Sequence, residues 1–277
     1  MKKKLIIFDL DGTLADSKKD LTPEVGEVLH KLADQAKIAV ISGCNWKQMC
    51  SQFLNKLPNS FNFDNLWNLY MLPTSGAQMW TWDGPESGCI NHYSSELTLR
   101  EKVKIYITFD SLYRTELMFC DYKWGEIAED RGSQITFSLL GQDAPLEEKK
   151  AFDSGGWNRK KLAKAMQPLL PGFEIRVGGA TSIDVTKSGI NKAYGIQKLI
   201  EHIQQYDVRC MEHQYDCGEF EGMPTCCNQN LTIDDAIYIG DALQDGGNDA
   251  IVKQTGIEWR ETKGPSDTIR IIESMLS

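Results

Sequence analysis

Short apolar runs that break off into acidic or glycine-bearing loops constrain this chain more than any other feature. Leu5-Ile6-Ile7-Phe8 stops at Asp9-Leu10-Asp11-Gly12-Thr13, Ile38-Ala39-Val40-Ile41 stops at Ser42-Gly43, and Ala236-Ile237-Tyr238-Ile239 stops at Gly240-Asp241. Four consecutive apolar residues without alternation describe a strand buried on both faces, the habit of parallel sheets. Between the first two runs, Val25, Val28, Leu29 and Leu32 recur at helical spacing behind Thr22-Pro23, a cap residue and an early-helix proline. Trp46 to Leu54 is again helical, and Leu69–Leu72 and Gln78–Trp82 read as further strands around the turn Thr74-Ser75-Gly76. The expected fold class is α/β, a Rossmann-like parallel sheet with helices on its faces.

From about Asp83 to Lys187 the order changes. A long helix (Leu97 to Phe119), strands Glu126–Glu129 and Gln134–Leu140, helices Leu146–Phe152 and Asn158–Leu169, and strands Phe173–Val177 and Ser182–Thr186 are expected there. Strands next to strands with helices grouped indicate a separate α+β module inserted into the first domain. Gly84-Pro85 and Ser188-Gly189 are the expected hinges, so residues 1–83 and 189–277 form the split sheet domain and 84–188 the insertion. After it the alternation resumes with helix Asn191–Ile203, strand Ala236–Ile239, strand Gly256–Arg260 and a closing helix from Ser266.

Lys and Arg total 30 against 39 Asp and Glu, a net charge of −9, which argues against nucleic acid or an anionic membrane as partner. No stretch approaches the roughly 18 apolar residues of a membrane span, and the apolar run after the basic start ends at Asp9, short of a signal peptide. A cytoplasmic location is expected, and with it reduced cysteines. Cys210, Cys217, Cys226 and Cys227 crowd with His213 into a polar insertion at about 206–232, which raises zinc as an option, but without a CxxC pair the ordinary reading is a reduced surface excursion.

The chemistry concentrates at the strand ends. Two carboxylates two residues apart, Asp9 and Asp11, repel unless a cation such as Mg²⁺ sits with them. Asp241 follows an apolar strand in the same way and can complete a metal shell, with Asn248 and Asp249 positioning it. Ser42 and Gly43 offer a hydroxyl and backbone N–H groups to an anion, and Lys192, near the start of a helix, can neutralise a phosphate.

Asp9-x-Asp11-Gly12-Thr13, Ser42, Lys192 and Gly240-Asp241 with Asn248-Asp249, in that order, resemble the four motifs of the haloacid dehalogenase superfamily, and the inserted module resembles its large cap of subclass IIB. Within that subclass Gly178-Gly179-Ala180-Thr181-Ser182-Ile183-Asp184-Val185-Thr186, Gly189-Ile190-Asn191-Lys192, Arg131-Gly132 before Ile135-Thr136-Phe137-Ser138, and the Gly-Gly-Asn-Asp ending of the last motif are most similar to eukaryotic-type phosphomannomutases. The resemblance implies Asp9 as nucleophile, Asp11 as general acid and base, and Mg²⁺ held by Asp9, Asp11, Asp241, Asn248 and Asp249. It also implies phosphate held by Ser42, Gly43 and Lys192, a hexose bisphosphate activator if the enzyme is a mutase, and a homodimer through the caps. For the substrate it implies Arg131, Ser182 and Asp184, with Lys18, Gln142 and Lys149 standing where the family has arginines. Lys keeps the charge but loses the bidentate fork, and Gln loses the charge. A phosphomutase acting on a phosphosugar, a sugar phosphatase of the same subclass and a non-catalytic sugar-phosphate sensor are the readings that follow.

Overall fold

The structure is a computed structural model that describes residues 3–17, 19–116, 124–178, 181–212 and 231–277. The chain divides into two compact units, Met1–Ser94 with Asn191–Ser277, and Ser95–Ile190. The first unit holds β1 (Leu5–Phe8), α1 (Pro23–Ala33), β2 (Lys37–Ile41), α2 (Trp46–Gln52), α3 (Phe63–Trp67), β3 (Leu69–Leu72), the single turn α4 (Pro73–Gly76), β4 (Gln78–Trp82) and β5 (Cys89–Ser94). The second holds α5 (Leu99–Glu116), β6 (Ala128–Asp130), β7 (Gln134–Ser138), α6 (Leu146–Phe152), α7 (Trp157–Met166), β8 (Phe173–Gly178) and β9 (Ser182–Lys187). The chain then returns to the first unit with α8 (Lys192–Glu212), β10 (Ala236–Gly240), β11 (Glu258–Glu261) and α9 (Pro265–Leu276).

The sheet of the first unit runs β11-β10-β1-β2-β3-β4-β5. Its first five strands are parallel, with Leu5 opposite Ala236 on one side and Lys37 on the other. Alternate residues of β1 serve two cores. Ile6 and Phe8 pack with Val25, Leu29 and Met49 of α1 and α2 and Ile272 of α9, while Leu5 and Ile7 pack with Ile196, Leu199 and Ile203 of α8. Both faces of β1 are therefore dry, and the acidic loop that follows leaves the sheet at its carboxyl edge, where open α/β sheets place their sites.

The sheet is mainly parallel, as expected; its last two pairings, β3 with β4 and β4 with β5, are antiparallel, the first because Pro73–Ala77 is far too short for the crossover that a parallel neighbour requires. One boundary needs correcting. The hinge expected at Gly84-Pro85 is instead the turn of the β4–β5 hairpin, where the Asp83 N–H donates to the Gly88 carbonyl at 2.8 Å. The inserted unit accordingly begins at Ser95 rather than residue 84.

The second unit is a four-stranded antiparallel sheet, β6-β7-β9-β8. One face is apolar: Ile135, Phe137, Ile183 and Val185 pack with Ile105 and Phe109 of α5 and Leu162 and Met166 of α7. Of the expected helix Leu97–Phe119, Leu99–Glu116 is helical and residues 117–119 lie outside the described residues, and the strand expected at Glu126–Glu129 is found as Ala128–Asp130. Lys18, Cys120, Gly179, Ala180, His213, Cys217, Cys226 and Cys227 lie outside the described residues. Cys44, Cys50 and Cys89 are in no disulfide, and no described helix is long and apolar enough to cross a membrane.

Candidate active site

Asp9 is the first residue past β1 and its backbone N–H still donates to the Ile239 carbonyl of β10, at 3.0 Å, so its side chain is fixed at the sheet edge. It is 2% exposed. Lys192, the first residue of α8, reaches Asp9 Oδ1 at 2.5 Å, Asp249 Oδ1 at 2.6 Å and the Tyr238 hydroxyl at 3.2 Å. An ammonium has three protons, and these three partners take them. Tyr238 in turn donates to Asp249 Oδ1 at 2.8 Å, and the Ala242 N–H donates to Asp249 Oδ2 at 3.2 Å. Lys192, expected to neutralise phosphate directly, thus first balances two buried carboxylates.

That balance is incomplete. One carboxylate oxygen each from Asp9, Asp241 and Asp249 lies within 4.8 Å of the others, and Asp9 Oδ2 is buried with no hydrogen-bond partner. Burial pushes the Asp9 carboxyl up to about 7; Lys192 pulls it down, while Asp249 and Asp241 add to the rise. Burial and the neighbouring Asp249 likewise raise Asp241. Burial works against the charge on Asp249 too, but Lys192, Tyr238 and the Ala242 N–H bring it below its ordinary value. For Lys192, burial opposes the charge and is outweighed by Asp249 and Asp9, which hold the ammonium well above its usual range. Three acidic oxygens converging with one orphaned form a donor set that suits a hard divalent cation.

Gly12 makes the close approach possible. Its φ is +85°, and a Cβ there would sit 2.5 Å from Asp241 Oδ2. Thr13 Oγ1 reaches Asp241 Oδ1 at 3.5 Å. Asp11 points elsewhere: its Oδ1 accepts from Gln52 Nε2 at 3.1 Å, and its carboxylate is not in the three-acid cluster. Asn248 is exposed in the last loop. Ser42 is buried, with its Oγ accepting from the Cys44 N–H at 3.3 Å. The loop carrying it and Gly43 is clamped by Thr74 and Ser75, whose N–H groups donate to the carbonyls of Cys44 and Ser42 at 2.7 and 2.8 Å. Both clamping residues are left-handed, φ +50° and +56°, a strained conformation for a non-glycine residue.

In the second unit, Arg131 pairs with Glu129 at 2.8 Å, and Asp184 Oδ1 accepts from Thr136 Oγ1 at 2.7 Å. Ser182 shares the strand and face of Asp184, two residues away. Gln142 donates to the carbonyls of Ile127 and Thr136, and Lys149 to the carbonyl of Gln142 at 2.7 Å. Two residues missed in the sequence stand out in the first unit, Tyr238 and Gln52. Tyr238 carried a signal, a hydroxyl inside an otherwise apolar strand that must find a partner; Gln52 carried none.

The family model of eukaryotic phosphomannomutase matches residues 25–218. The chain belongs to the eukaryotic phosphomannomutase family. A phosphomannomutase of Spinacia oleracea is 26% identical over 70% of this chain and 76% of its own length, and one of Saccharomyces cerevisiae is 23% identical over 99% and 94%. Among solved structures, a haloacid dehalogenase-like hydrolase from Bacteroides thetaiotaomicron superposes with a TM-score of 0.58 at 16% identity, covering 99% of this chain and all of that one. The fold is that of the haloacid dehalogenase superfamily, and the chain is a phosphomannomutase-like enzyme of phosphosugar chemistry.

Proposed function

We propose that this phosphomannomutase-family chain interconverts hexose 1-phosphate and 6-phosphate through an aspartyl-phosphate on Asp9. The observation that carries the reading is the buried, unpartnered Oδ2 of Asp9 beside Asp241 and Asp249. Asp9, Asp241 and Asp249 would hold Mg²⁺, with Asn248 contributing from the last loop, while Asp11, expected among the ligands, is turned to Gln52 and left to proton transfer; the ion would neutralise these carboxylates and the charge developing on the phosphoryl oxygens. Asp9 attacks phosphorus in line, forming its O–P bond as the bond to the sugar oxygen breaks. Asp11, oriented by Gln52, gives its proton to the leaving oxygen and later takes one from the accepting hydroxyl. Ser42 and Gly43 hold phosphoryl oxygens, and Lys192 keeps Asp9 and Asp249 from repelling them. Arg131, Ser182, Asp184, Gln142, Lys149 and Lys18 select the substrate.

A sugar phosphatase differs only in its acceptor, water in place of a sugar hydroxyl. Gln142 carries no charge and the Lys149 ammonium donates to a backbone carbonyl, which leaves the insertion fewer cations for a distal phosphate and favours this second reading. One assay separates the two: mannose 1-phosphate with and without a hexose bisphosphate. Isomer formation that depends on the bisphosphate is expected; phosphate release alone, indifferent to it, would establish the hydrolase. Asp9→Asn should abolish turnover of either kind while leaving the circular dichroism spectrum unchanged.

A further inference from the structure

Three neighbouring strands of the first sheet, β1, β2 and β3, run parallel, so the loops that follow them, at Asp9, Ser42 and Pro73, leave by the same carboxyl edge. The third loop is strained. Thr74 and Ser75 take φ/ψ of 50°/47° and 56°/33°, and Gly76 follows at φ +85°, so only the last of three successive left-handed residues is a glycine. A side chain in that region meets a steric penalty that glycine avoids. The turn is fixed from three sides. The Thr74 and Ser75 N–H groups donate to the loop after β2, the Gly76 carbonyl accepts from the Tyr93 hydroxyl of β5 at 2.8 Å, and the Gly76 backbone rests on Gly195 of α8. Those contacts require the left-handed backbone at 75 but no side chain there, since glycine would make the same backbone bonds without strain. The serine calls for a reason of its own.

Its hydroxyl supplies one. Thr74 is wholly buried, whereas Ser75 is only partly so. A Cβ built on Gly43 would meet, chain neighbours aside, a single atom within 4 Å, Ser75 Oγ at 3.8 Å. Ser75 therefore reaches from the third loop to stand over Gly43 of the second, the position where Ser42-Gly43 offers a hydroxyl and N–H groups to an anion. Among the described residues the Ser75 hydroxyl makes no hydrogen bond, while that of Ser42 already accepts from the Cys44 N–H. A hydroxyl has one proton to donate, and the oxygens of a phosphoryl group are acceptors.

Resting on the proposal that Asp9 transfers a phosphoryl group, we infer that Ser75 is a further phosphoryl-binding residue, its hydroxyl donating to the transferring group above Gly43. The test compares the full chain with its Ser75→Gly and Ser75→Ala variants on a hexose 1-phosphate and on p-nitrophenyl phosphate, which share only the phosphoryl group. Both variants should lose roughly tenfold to a hundredfold in kcat/KM, by the same factor on the two esters, the range for one hydrogen bond to a charged group. Ser75→Gly should at the same time melt no lower than wild type, because it relieves the left-handed strain. A merely structural serine would tie lost activity to lost Tm. Unchanged kcat/KM in either variant, a loss confined to the sugar ester, or a loss matched by a lower Tm in Ser75→Gly overturns the inference. Should the wild type turn over neither ester, or Asp9→Asn keep its turnover, the proposed function fails by itself. Titration calorimetry of inorganic phosphate, with Mg²⁺ present, into wild type and Ser75→Ala then decides Ser75: weaker binding in the variant supports the contact, and equal binding or none overturns it.

Discussion

Tyr238 shows how much a single hydroxyl can organise. It lies inside β10 at 0% exposure and bridges Lys192 and Asp249, so removing its oxygen leaves two buried charges each short of one partner. Tyr238→Phe should cost about 1–3 kcal/mol in urea unfolding and lower turnover, with Asp249 freed to rotate. A variant as stable and active as wild type would show the phenol to be a bystander. The pH dependence belongs to Asp9. Its carboxyl, pushed up to about 7 by burial, keeps a proton in the folded chain that the unfolded chain has already released, so it favours folding at low pH and that contribution is lost as pH rises through about 7. Asp241, also raised, has the same sign; Asp249, lowered, has the opposite one and loses its contribution as pH falls. A divalent cation binds the ionised cluster, so the gain in Tm on adding Mg²⁺ should grow between pH 5 and pH 8, and a gain that ignores pH would remove Asp9 from the ligand set. The acids themselves were legible, because carboxylates in Asp9-x-Asp11 and after Gly240 stand directly past apolar strands. Which of them converge was not: Asp11 turns to Gln52, and nothing in local sequence announces a partner 41 positions away.

At the scale of elements, the start of α8 is held where α4 crosses it. Gly76 and Gly195 meet backbone to backbone: a Cβ on Gly76 would lie 2.6 Å from the Gly195 Cα, and one on Gly195 would lie 2.8 Å from the Gly76 Cα. Alanine at 195 would gain about 1 kcal/mol of helix propensity, yet neither backbone can yield without moving α8 or the strained Thr74-Ser75 turn. Gly195→Ala should therefore be a net loss of about 1–3 kcal/mol by denaturant melts, and because Lys192 lies three residues earlier, kcat should fall with it. A stabilised variant would mean that propensity outweighs packing here. The elements best read from sequence were those with a strong period: β1, β2 and β10 as buried runs, α1 as an amphipathic helix. β5 escaped, since Cys-Ile-Asn-His-Tyr-Ser is an edge strand with few apolar residues, and its pairing with β4 is what moves the boundary of the insertion from 84 to 95. The direction of β4 was also hidden in composition and follows from connection length alone.

For the molecule as a whole, the open question is how many copies act together. Leu99, Val103 and Ile107 recur every four residues on α5 and are 77%, 48% and 65% exposed, although the rest of that helix packs Ile105 and Phe109 into the core of its unit. Three large aliphatic side chains on one stripe are more than scattered surface exposure accounts for, and a stripe on a straight helix is self-complementary about a two-fold axis. Resemblance to the family implied a dimer through the inserted unit, and this stripe lies in that unit. Val103→Glu with Ile107→Glu would set like charges against each other across such an axis, where each buried carboxylate is costly to desolvate. Sedimentation should give about 63 kDa for the wild type, twice the chain mass of 31.3 kDa, and a single chain for the double variant. Turnover should persist in the monomer, because Asp9, Lys192, Tyr238, Asp241 and Asp249 all belong to the other unit. A wild type that sediments as one chain would leave α5 unpaired and confine the function to a single copy.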